Sequence, residues 1–269
     1  MTIPRSPLAV ITGAGSGFGR ALAFALAPRG ASLVLADVNE ASAAETARVC
    51  MTRGAKAARS LRCDVSKLDE VEALAASCRE PVDLVVNNAG VSSGGRIGDS
   101  PMADWRWTIE VDLFGVIYGC HAFVPLFRKQ GHGHVLNVAS AAGLVSAPRM
   151  GAYNVSKAGV VALSETLAAE LAGTKIGVTV LCPTFFQTDI AKSGRFTDAR
   201  TKVAAEKLVA KGKTAESIAN AALRSVESDQ LYCVPMVDAR LLWRLKRFAP
   251  GLFVKLVGKV AEREMFNGE

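Results

Sequence analysis

The chain alternates short runs rich in β-branched residues with longer Ala- and Leu-rich stretches whose apolar residues recur at helical spacing. This alternation is typical of repeated β-α-β units around a parallel sheet. The candidate strands are Leu8–Thr12, Ser32–Ala36, Ala57–Cys63, Asp83–Val86, His134–Ala139, Gly177–Cys182 and Leu231–Val234. The helical patterns lie near 18–28, 40–53, 67–79, 103–129, 151–172 and 214–226. We predict an α/β fold with a doubly wound, mainly parallel seven-stranded sheet and helices on both faces.

Composition limits the class of protein, and we interpret residues 1–269 as one domain. Half of the 269 residues are hydrophobic and 21% are charged, which excludes a disordered or collagen-like chain. The six cysteines are scattered without a C-x-x-C pair, as expected of reduced thiols in a cytosolic protein. The first apolar run is too short for a signal peptide, and no stretch reaches the ~18 apolar residues of a membrane span. We therefore expect a cytoplasmic location.

Two segments depart from the alternation. Residues 184–212 follow a strand end and contain helix formers together with Gly194 and Gly212. Because open α/β sheets bind ligands at the carboxyl ends of their strands, this segment is predicted to be a substrate lid. The second segment, 239–269, is a basic amphipathic extension. Its last thirty residues carry seven Arg and Lys against three Glu, which is +4 of the net charge of +7.

The first strand runs directly into a glycine-rich turn, Thr12-Gly13-Ala14-Gly15-Ser16-Gly17-Phe18-Gly19, and a helical pattern follows. Glycine lets the chain turn sharply and lets a pyrophosphate approach the backbone, while the helix start offers free N–H groups and a positive dipole end. A strand before and a helix after the turn favour dinucleotide binding over an ordinary strand-to-helix turn.

Asp37 ends the second strand, eighteen residues beyond Gly19. A carboxylate at this place accepts hydrogen bonds from the adenosine ribose hydroxyls and repels a 2′-phosphate, so we predict NAD rather than NADP. The alternative role is an acidic residue at the start of the next helix. Arg20 and Arg29 leave NADP open, since a nearby guanidinium accommodates a 2′-phosphate.

Tyr153 and Lys157 are four residues apart at the start of a helical pattern, so both side chains lie on one helical face. A nearby ammonium favours the phenolate, and we predict that Lys157 lowers the pKa of Tyr153 enough for proton exchange with a substrate hydroxyl or carbonyl. Ser140, at the end of a strand, is predicted to bond the same oxygen. Taken singly, the pair is typical of a surface contact and the serine of a turn.

Together these motifs resemble the short-chain dehydrogenase/reductases of the NAD(P)-binding Rossmann type, over nearly the whole chain to about residue 235. Besides the glycine-rich turn, Ser140, Tyr153 and Lys157, the motifs are Cys63-Asp64-Val65, Asn87-Asn88-Ala89-Gly90, and Pro183 with Thr188. The resemblance implies cofactor contacts at Gly13, Ser16, Gly17, Phe18, Gly19, Asp37, Asp64, Val65, Asn88, Ala89, Gly90, Tyr153, Lys157, Pro183, Phe186 and Thr188. It also implies a homodimer or homotetramer that pairs through the helices 105–127 and 151–172.

The resemblance further implies that Tyr153 is the general acid/base, that Lys157 lowers its pKa, and that Ser140 orients the reacting oxygen. The fourth catalytic residue of the family is an Asn whose backbone carbonyl holds a water, and here Asp112 stands in its place. Its carboxylate is expected to shift the pKa of Lys157 upward. The sequence also has Pro183-Thr184 where the family commonly has Pro-Gly.

The expected activity is the interconversion of a secondary alcohol and a ketone by hydride transfer. A mostly apolar crevice predicts a hydrophobic substrate such as a steroid, a lipid-derived ketone or an aryl alcohol. The candidate substrate contacts are Val91, Leu144, Val145, Arg149, Phe185 and Ile190. The alternative for these apolar residues is a place in the core under the lid. Another class of function stays open: a non-catalytic dinucleotide sensor or a membrane-associated scaffold of the same fold.

The C-terminal extension has three interpretations. It closes the substrate site or packs on a partner subunit, it lies on an anionic membrane, or it contacts nucleic acid. In its second half Leu252, Phe253, Leu256, Val257 and Val260 share one helical face, with Lys255, Lys259 and Arg263 largely opposite. Nothing resembles a nucleic-acid module, so we predict no nucleic-acid partner. The histidines lack metal-ligand spacing, and we predict no metal.

Overall fold

A computed structural model describes residue 4 and residues 6–266, with side chains as far as residue 259. Seven strands form one sheet: β1 Leu8–Thr12, β2 Ser32–Asp37, β3 Ala57–Arg62, β4 Leu84–Asn87, β5 Gly133–Val138, β6 Ile176–Leu181 and β7 Tyr232–Cys233. Their order is β3-β2-β1-β4-β5-β6-β7, and every neighbouring pair is parallel. From β1 the strand order runs outward to β3 on one side and from β4 to β7 on the other, so it reverses between β1 and β4. This topology confirms the predicted doubly wound Rossmann fold.

Ten α-helices occur among the described residues. They are α1 Gly17–Leu26, α2 Glu40–Thr52, α3 Leu68–Ala76, α4 Met102–Gln130, α5 Ala141–Val145, α6 Gly151–Glu170, α7 Ala199–Ala210, α8 Ala215–Glu227, α9 Val237–Phe248 and α10 Pro250–Phe266. The predicted strand bounds lie within one residue of those observed, and the six predicted helices lie within three residues of α1, α2, α3, α4, α6 and α8, because frayed ends carry little sequence signal. Within α4 the turn Glu110–Phe114 is π-helical, which the sequence did not predict.

The core lies on both faces of the central strands. All four residues of β4 and all six of β5 and β6 are buried, as expected for strands covered by helices on each side. Among the described residues α4 is long and apolar enough to cross a membrane. Its Phe123 and Phe127 side chains are fully buried against the sheet, so we interpret α4 as a core helix.

The segment predicted as a lid begins where β6 ends and contains α7. Its two-residue strand Arg195–Phe196 pairs with Ser93–Gly94, a contact that the sequence did not predict. The Arg195 guanidinium stacks 4.0 Å above the Trp107 ring and lies 3.2 Å from an Asp104 oxygen. These contacts attach the segment to α4 across the carboxyl ends of the strands.

Candidate active site

A cavity of about 1180 Å³ opens where β1, β2, β4, β5 and β6 end. Most of the predicted site residues line it: Gly13, Ser16, Gly17, Phe18, Asp37, Asp64, Val65, Asn88, Ala89, Gly90, Val91, Ser140, Val145, Tyr153, Lys157, Pro183, Phe185, Phe186, Thr188 and Ile190. Single drug-sized ligands occupy roughly 300 to 1,000 Å³, so this volume admits a large cofactor together with a substrate.

The glycine-rich turn forms one end of the cavity and is fixed to the loop after β4. The Asn88 and Ala89 N–H groups donate to the Thr12 hydroxyl oxygen at 2.9 and 3.1 Å. Gly13 has a φ of +64°, and a Cβ there would stand 2.8 Å from the Asn88 amide nitrogen. At Gly19, inside α1, a Cβ would stand 2.4 Å from the Gly13 carbonyl oxygen. Gly19 therefore keeps the turn tight without lining the cavity.

The start of α1 faces this cavity without a capping side chain. Ser16 holds the N-cap position in extended backbone, and its hydroxyl makes no capping hydrogen bond. The first N–H groups of α1 thus have no side-chain acceptor, and a phosphate is the ligand that such a helix start favours. These features fit the pyrophosphate of a dinucleotide.

Asp37 stands beside the turn at the end of β2. Its two carboxylate oxygens accept hydrogen bonds from the Gly15 N–H at 2.8 Å and the Asn39 N–H at 2.9 Å. Arg20 donates to the Gly15 carbonyl oxygen and to the Thr46 hydroxyl, and Arg29 pairs with Glu227. Neither arginine lines the cavity, whereas the carboxylates of Asp37 and Asp64 do.

Ser140, Tyr153 and Lys157 converge deeper in the cavity. Ser140 caps α5, accepting a hydrogen bond from the Ala142 N–H at 3.1 Å, and its hydroxyl donates to the Pro183 carbonyl oxygen at 3.4 Å. Tyr153 lies in the first turn of α6. Lys157 lies one turn further, and its ammonium donates to the Val138 carbonyl at 3.1 Å. This arrangement brings a phenol, a hydroxyl and an ammonium group together in one cavity.

Asp112 lies behind this set in the π-helical turn of α4. One carboxylate oxygen accepts from the Val91 N–H at 2.7 Å, and the other lies 3.5 Å from the Lys157 ammonium nitrogen. The side chains of Asp112 and Lys157 are 0% and 3% exposed. A π-helical turn often marks a functional site, and here it directs a carboxylate at a buried cation. Asp112 therefore contacts Lys157 from behind and does not line the cavity.

The pKa of Tyr153 is raised, and this corrects the prediction that Lys157 lowers it. Burial of the phenol is the main cause, the Asp112 carboxylate adds to it, and the neighbouring Ser140 hydroxyl opposes it. Burial also raises the pKa of Asp112, against the Lys157 ammonium and the bond from Val91. The Lys157 nitrogen lies 5.6 Å from the centre of the Tyr153 ring and donates to the sheet instead.

Two predicted substrate contacts lie elsewhere. Leu144 is 6% exposed and belongs to the hydrophobic core, because its side chain and that of Val145 leave the short helix α5 in different directions. Arg149 has a φ of +60°, and its guanidinium lies 3.5 Å from the Thr201 hydroxyl at the start of α7. Neither residue lines the cavity.

Several residues that line the cavity belong to none of the sequence motifs. The apolar ones are Val38, Trp107, Met150, Leu208, Met236 and Leu242. Met236 immediately precedes α9 and Leu242 lies within it, so the first half of α9 borders the cavity. The amphipathic pattern of α9 was the only sequence signal that this helix packs on the protein.

The histidines make contacts typical of structure. Burial lowers the pKa of His134 to about 4, and the His134 ring nitrogen Nε2 lies 2.9 Å from the Thr179 hydroxyl. Among the residues described, no group of three or more His, Cys, Asp and Glu side chains is placed to hold a metal ion.

A doubly wound sheet with a phosphate-binding turn and a Ser-Tyr-Lys set in one cavity defines a nicotinamide-dependent oxidoreductase. Residues 7–198 match the short chain dehydrogenase family, and the chain belongs to that family. The "CLA biosynthesis dehydrogenase/reductase" of Lactiplantibacillus plantarum is 30% identical over 259 residues, which are 86% of this chain and 90% of that protein.

Solved structures agree with this assignment. A short-chain dehydrogenase/reductase from Burkholderia phymatum in complex with NAD is 36% identical, with a TM-score of 0.87 over 94% of this chain and 96% of that one. An alcohol dehydrogenase from the archaeon Thermococcus sibiricus, complexed with 5-hydroxy-NADP, is 26% identical, with a TM-score of 0.74 over 85% and 95%. The family's oxidoreductase chemistry and a nicotinamide dinucleotide cofactor therefore apply to this chain, and NAD and NADP are both found among its relatives.

Proposed function

We propose that this protein is an NAD-dependent oxidoreductase that interconverts a secondary alcohol and a ketone on a hydrophobic substrate. The observation that supports the proposal is that Ser140, Tyr153 and Lys157 line one cavity, with the Lys157 ammonium one helical turn from the phenol.

The protein's part in the reaction is to position and exchange a proton. When bound, the nicotinamide supplies or accepts the hydride. The Tyr153 phenol gives its proton to the substrate oxygen during reduction and takes it back during oxidation. Ser140 donates a hydrogen bond to that oxygen as negative charge develops. Lys157 holds a positive charge beneath the phenol, and Asp112 fixes that charge in place.

Apolar side chains support a hydrophobic substrate. Phe185, Phe186 and Ile190 of the proposed lid line the cavity, together with Val91 and Val145. Trp107, Met150, Met236 and Leu242 extend this surface. Such a pocket favours a bulky apolar ketone or alcohol over a charged metabolite.

The surroundings of Asp37 support NAD over NADP. A 2′-phosphate would bring about two negative charges next to this carboxylate, and both candidate arginines are engaged outside the cavity. Val38, the next residue, is 62% exposed and contributes an apolar side chain to the same end.

Replacing Asp37→Ser together with Val38→Arg is expected to reverse the cofactor preference. The change removes one repulsive charge and adds one charge-assisted hydrogen bond, each worth roughly 1.5 to 3 kcal/mol, so the NADP-to-NAD ratio of kcat/KM rises about 100-fold or more. Serine keeps an acceptor for the Gly15 N–H. The matched control is Glu40→Gln, a charge removed at the start of α2 outside the cavity. A wild-type preference for NADP, or an unchanged ratio in the double variant, contradicts the role of Asp37.

A panel of steroid, aliphatic and aryl alcohols with NAD and NADP tests the function itself. We expect absorbance of the reduced nicotinamide to rise with apolar secondary alcohols and NAD, and turnover to be lost on substitution of Tyr153. Primary or charged alcohols as the best substrates would contradict the proposed substrate class. Binding of NAD without turnover of any alcohol would favour the non-catalytic sensor.

We also propose a homodimer or homotetramer. Phe114 on α4 and Val155 on α6 are 38% and 51% exposed, and they are large apolar side chains on the two helices implicated by the sequence. Exposed apolar groups on neighbouring helices are typical of a subunit contact. Light scattering measures the mass directly.

A further inference from the structure

Helix α9 carries an exposed apolar stripe. Val237, Leu241 and Phe248 are 60%, 59% and 84% exposed, and their spacing puts them on one helical face. The opposite face packs on the protein through Ala239, which is buried, and Trp243, whose ring lies 4.9 Å from that of Tyr232. A helix docked on one side ordinarily presents polar residues on the other.

Helix α10 also exposes large apolar side chains. Leu252, Val254 and Leu256 are 53%, 67% and 45% exposed, while Phe253 of the predicted apolar face is buried. Val260 and Arg263, which the sequence also placed on this helix, have side chains outside the described part of the structure.

A cationic groove lies along α9, next to the side of the helix that packs on the protein. Arg224, Arg240, Arg244 and Lys213 line a groove of about 540 Å³ beside β7, and no carboxylate lines it. None of the four side chains forms an ion pair within the part of the chain that the structure describes. Between 237 and 259, six Arg and Lys stand against Asp238 alone. The groove therefore has the charge to accept an anion.

We propose that α9 and α10 dock this protein on an anionic lipid bilayer. The apolar stripe enters the headgroup region, and the arginines contact lipid phosphates. A second copy of the chain fits this surface poorly, because self-pairing would place these cations against one another. Charge complementarity thus selects a lipid surface.

Docking would also bring the bilayer close to the catalytic cavity. Asp238 and Leu242 of α9 line that cavity from the other side of the helix. A hydrophobic substrate dissolved in the bilayer would then have a short path to Tyr153. This consequence rests on the proposed function, whereas the docking itself does not.

The test is co-sedimentation of the full chain with phosphatidylcholine vesicles and with equimolar phosphatidylcholine and phosphatidylglycerol vesicles, without cofactor or substrate. We expect binding to the mixed vesicles only, weakened by salt. Each cation near the surface contributes about five-fold to partitioning, so Arg240→Gln with Arg244→Gln should reduce it roughly 25-fold. Phe248→Ser should reduce it about ten-fold by removing an inserted ring.

The matched control is Lys56→Gln with Lys175→Gln. These two exposed lysines precede β3 and β6 at the amino ends of the strands, so the same charge is lost at the opposite side of the sheet. The control should bind as the wild type does. The proposal is overturned if the wild type does not bind the mixed vesicles, or if the control loses as much binding as the double arginine variant. It is also overturned if light scattering shows that Phe248→Ser dissociates an oligomer.

Discussion

Replacement of Tyr153 by phenylalanine is expected to reduce kcat by about 1,000-fold or more in both directions, since general acid–base catalysis contributes up to roughly 10⁴-fold. The ring still fills its place beside Ser140, but no proton reaches or leaves the substrate oxygen. Affinity for reduced NAD, measured by the change in its fluorescence, should be unchanged because the glycine-rich turn and Asp37 are intact.

The matched control is Tyr118→Phe on α4, where the phenol contacts the Phe114 ring and does not line the cavity. It should retain wild-type turnover. Full activity of Tyr153→Phe would contradict the assigned mechanism but would not contradict the fold or the cofactor site. Loss of both turnover and NAD binding would indicate instead that the variant disturbs the cavity.

The sequence predicted the features that depend on short-range patterns. Buried parallel strands need continuous β-branched runs, and the turn from Gly13 to Gly19 needs glycine where a Cβ would strike a neighbouring backbone or amide. Tyr153 and Lys157 had to share a face because both lie on one helix. These constraints act within a few residues, and they are therefore visible in the sequence.

Features that depend on distant packing were not predictable. The strand Arg195–Phe196 is only two residues long and exists because it meets Ser93–Gly94. Leu144 and Val145 are adjacent and apolar, yet one enters the core and the other the cavity. The raised pKa of Tyr153 likewise depends on its burial and on Asp112, forty-one residues away in the chain.

Asp112 connects the stability of the fold to the chemistry of the site, and its replacement should alter both. Asp112→Ala leaves the Lys157 charge buried without its partner, which costs about 3 to 5 kcal/mol in the free energy of unfolding. In a domain of this size that is a fall of roughly 6 to 20 °C in Tm, measured by calorimetry. Asp112→Asn keeps an acceptor for the Val91 N–H and should lose less. Glu110→Gln, an exposed carboxylate in the same π-helical turn, is the control.

Asp112→Asn should also shift the pH dependence of alcohol oxidation in a defined direction. The Asp112 carboxylate raises the pKa of Tyr153, so Asp112→Asn lowers that pKa. Alcohol oxidation requires the phenolate, and its kcat/KM rises with pH through this pKa. The rising limb should therefore move to lower pH in Asp112→Asn and stay in place in Glu110→Gln. A variant that is merely destabilised would lose activity without moving the limb. An unmoved limb in a folded Asp112→Asn protein would show that this carboxylate supports the structure of Lys157 but not the ionisation of Tyr153.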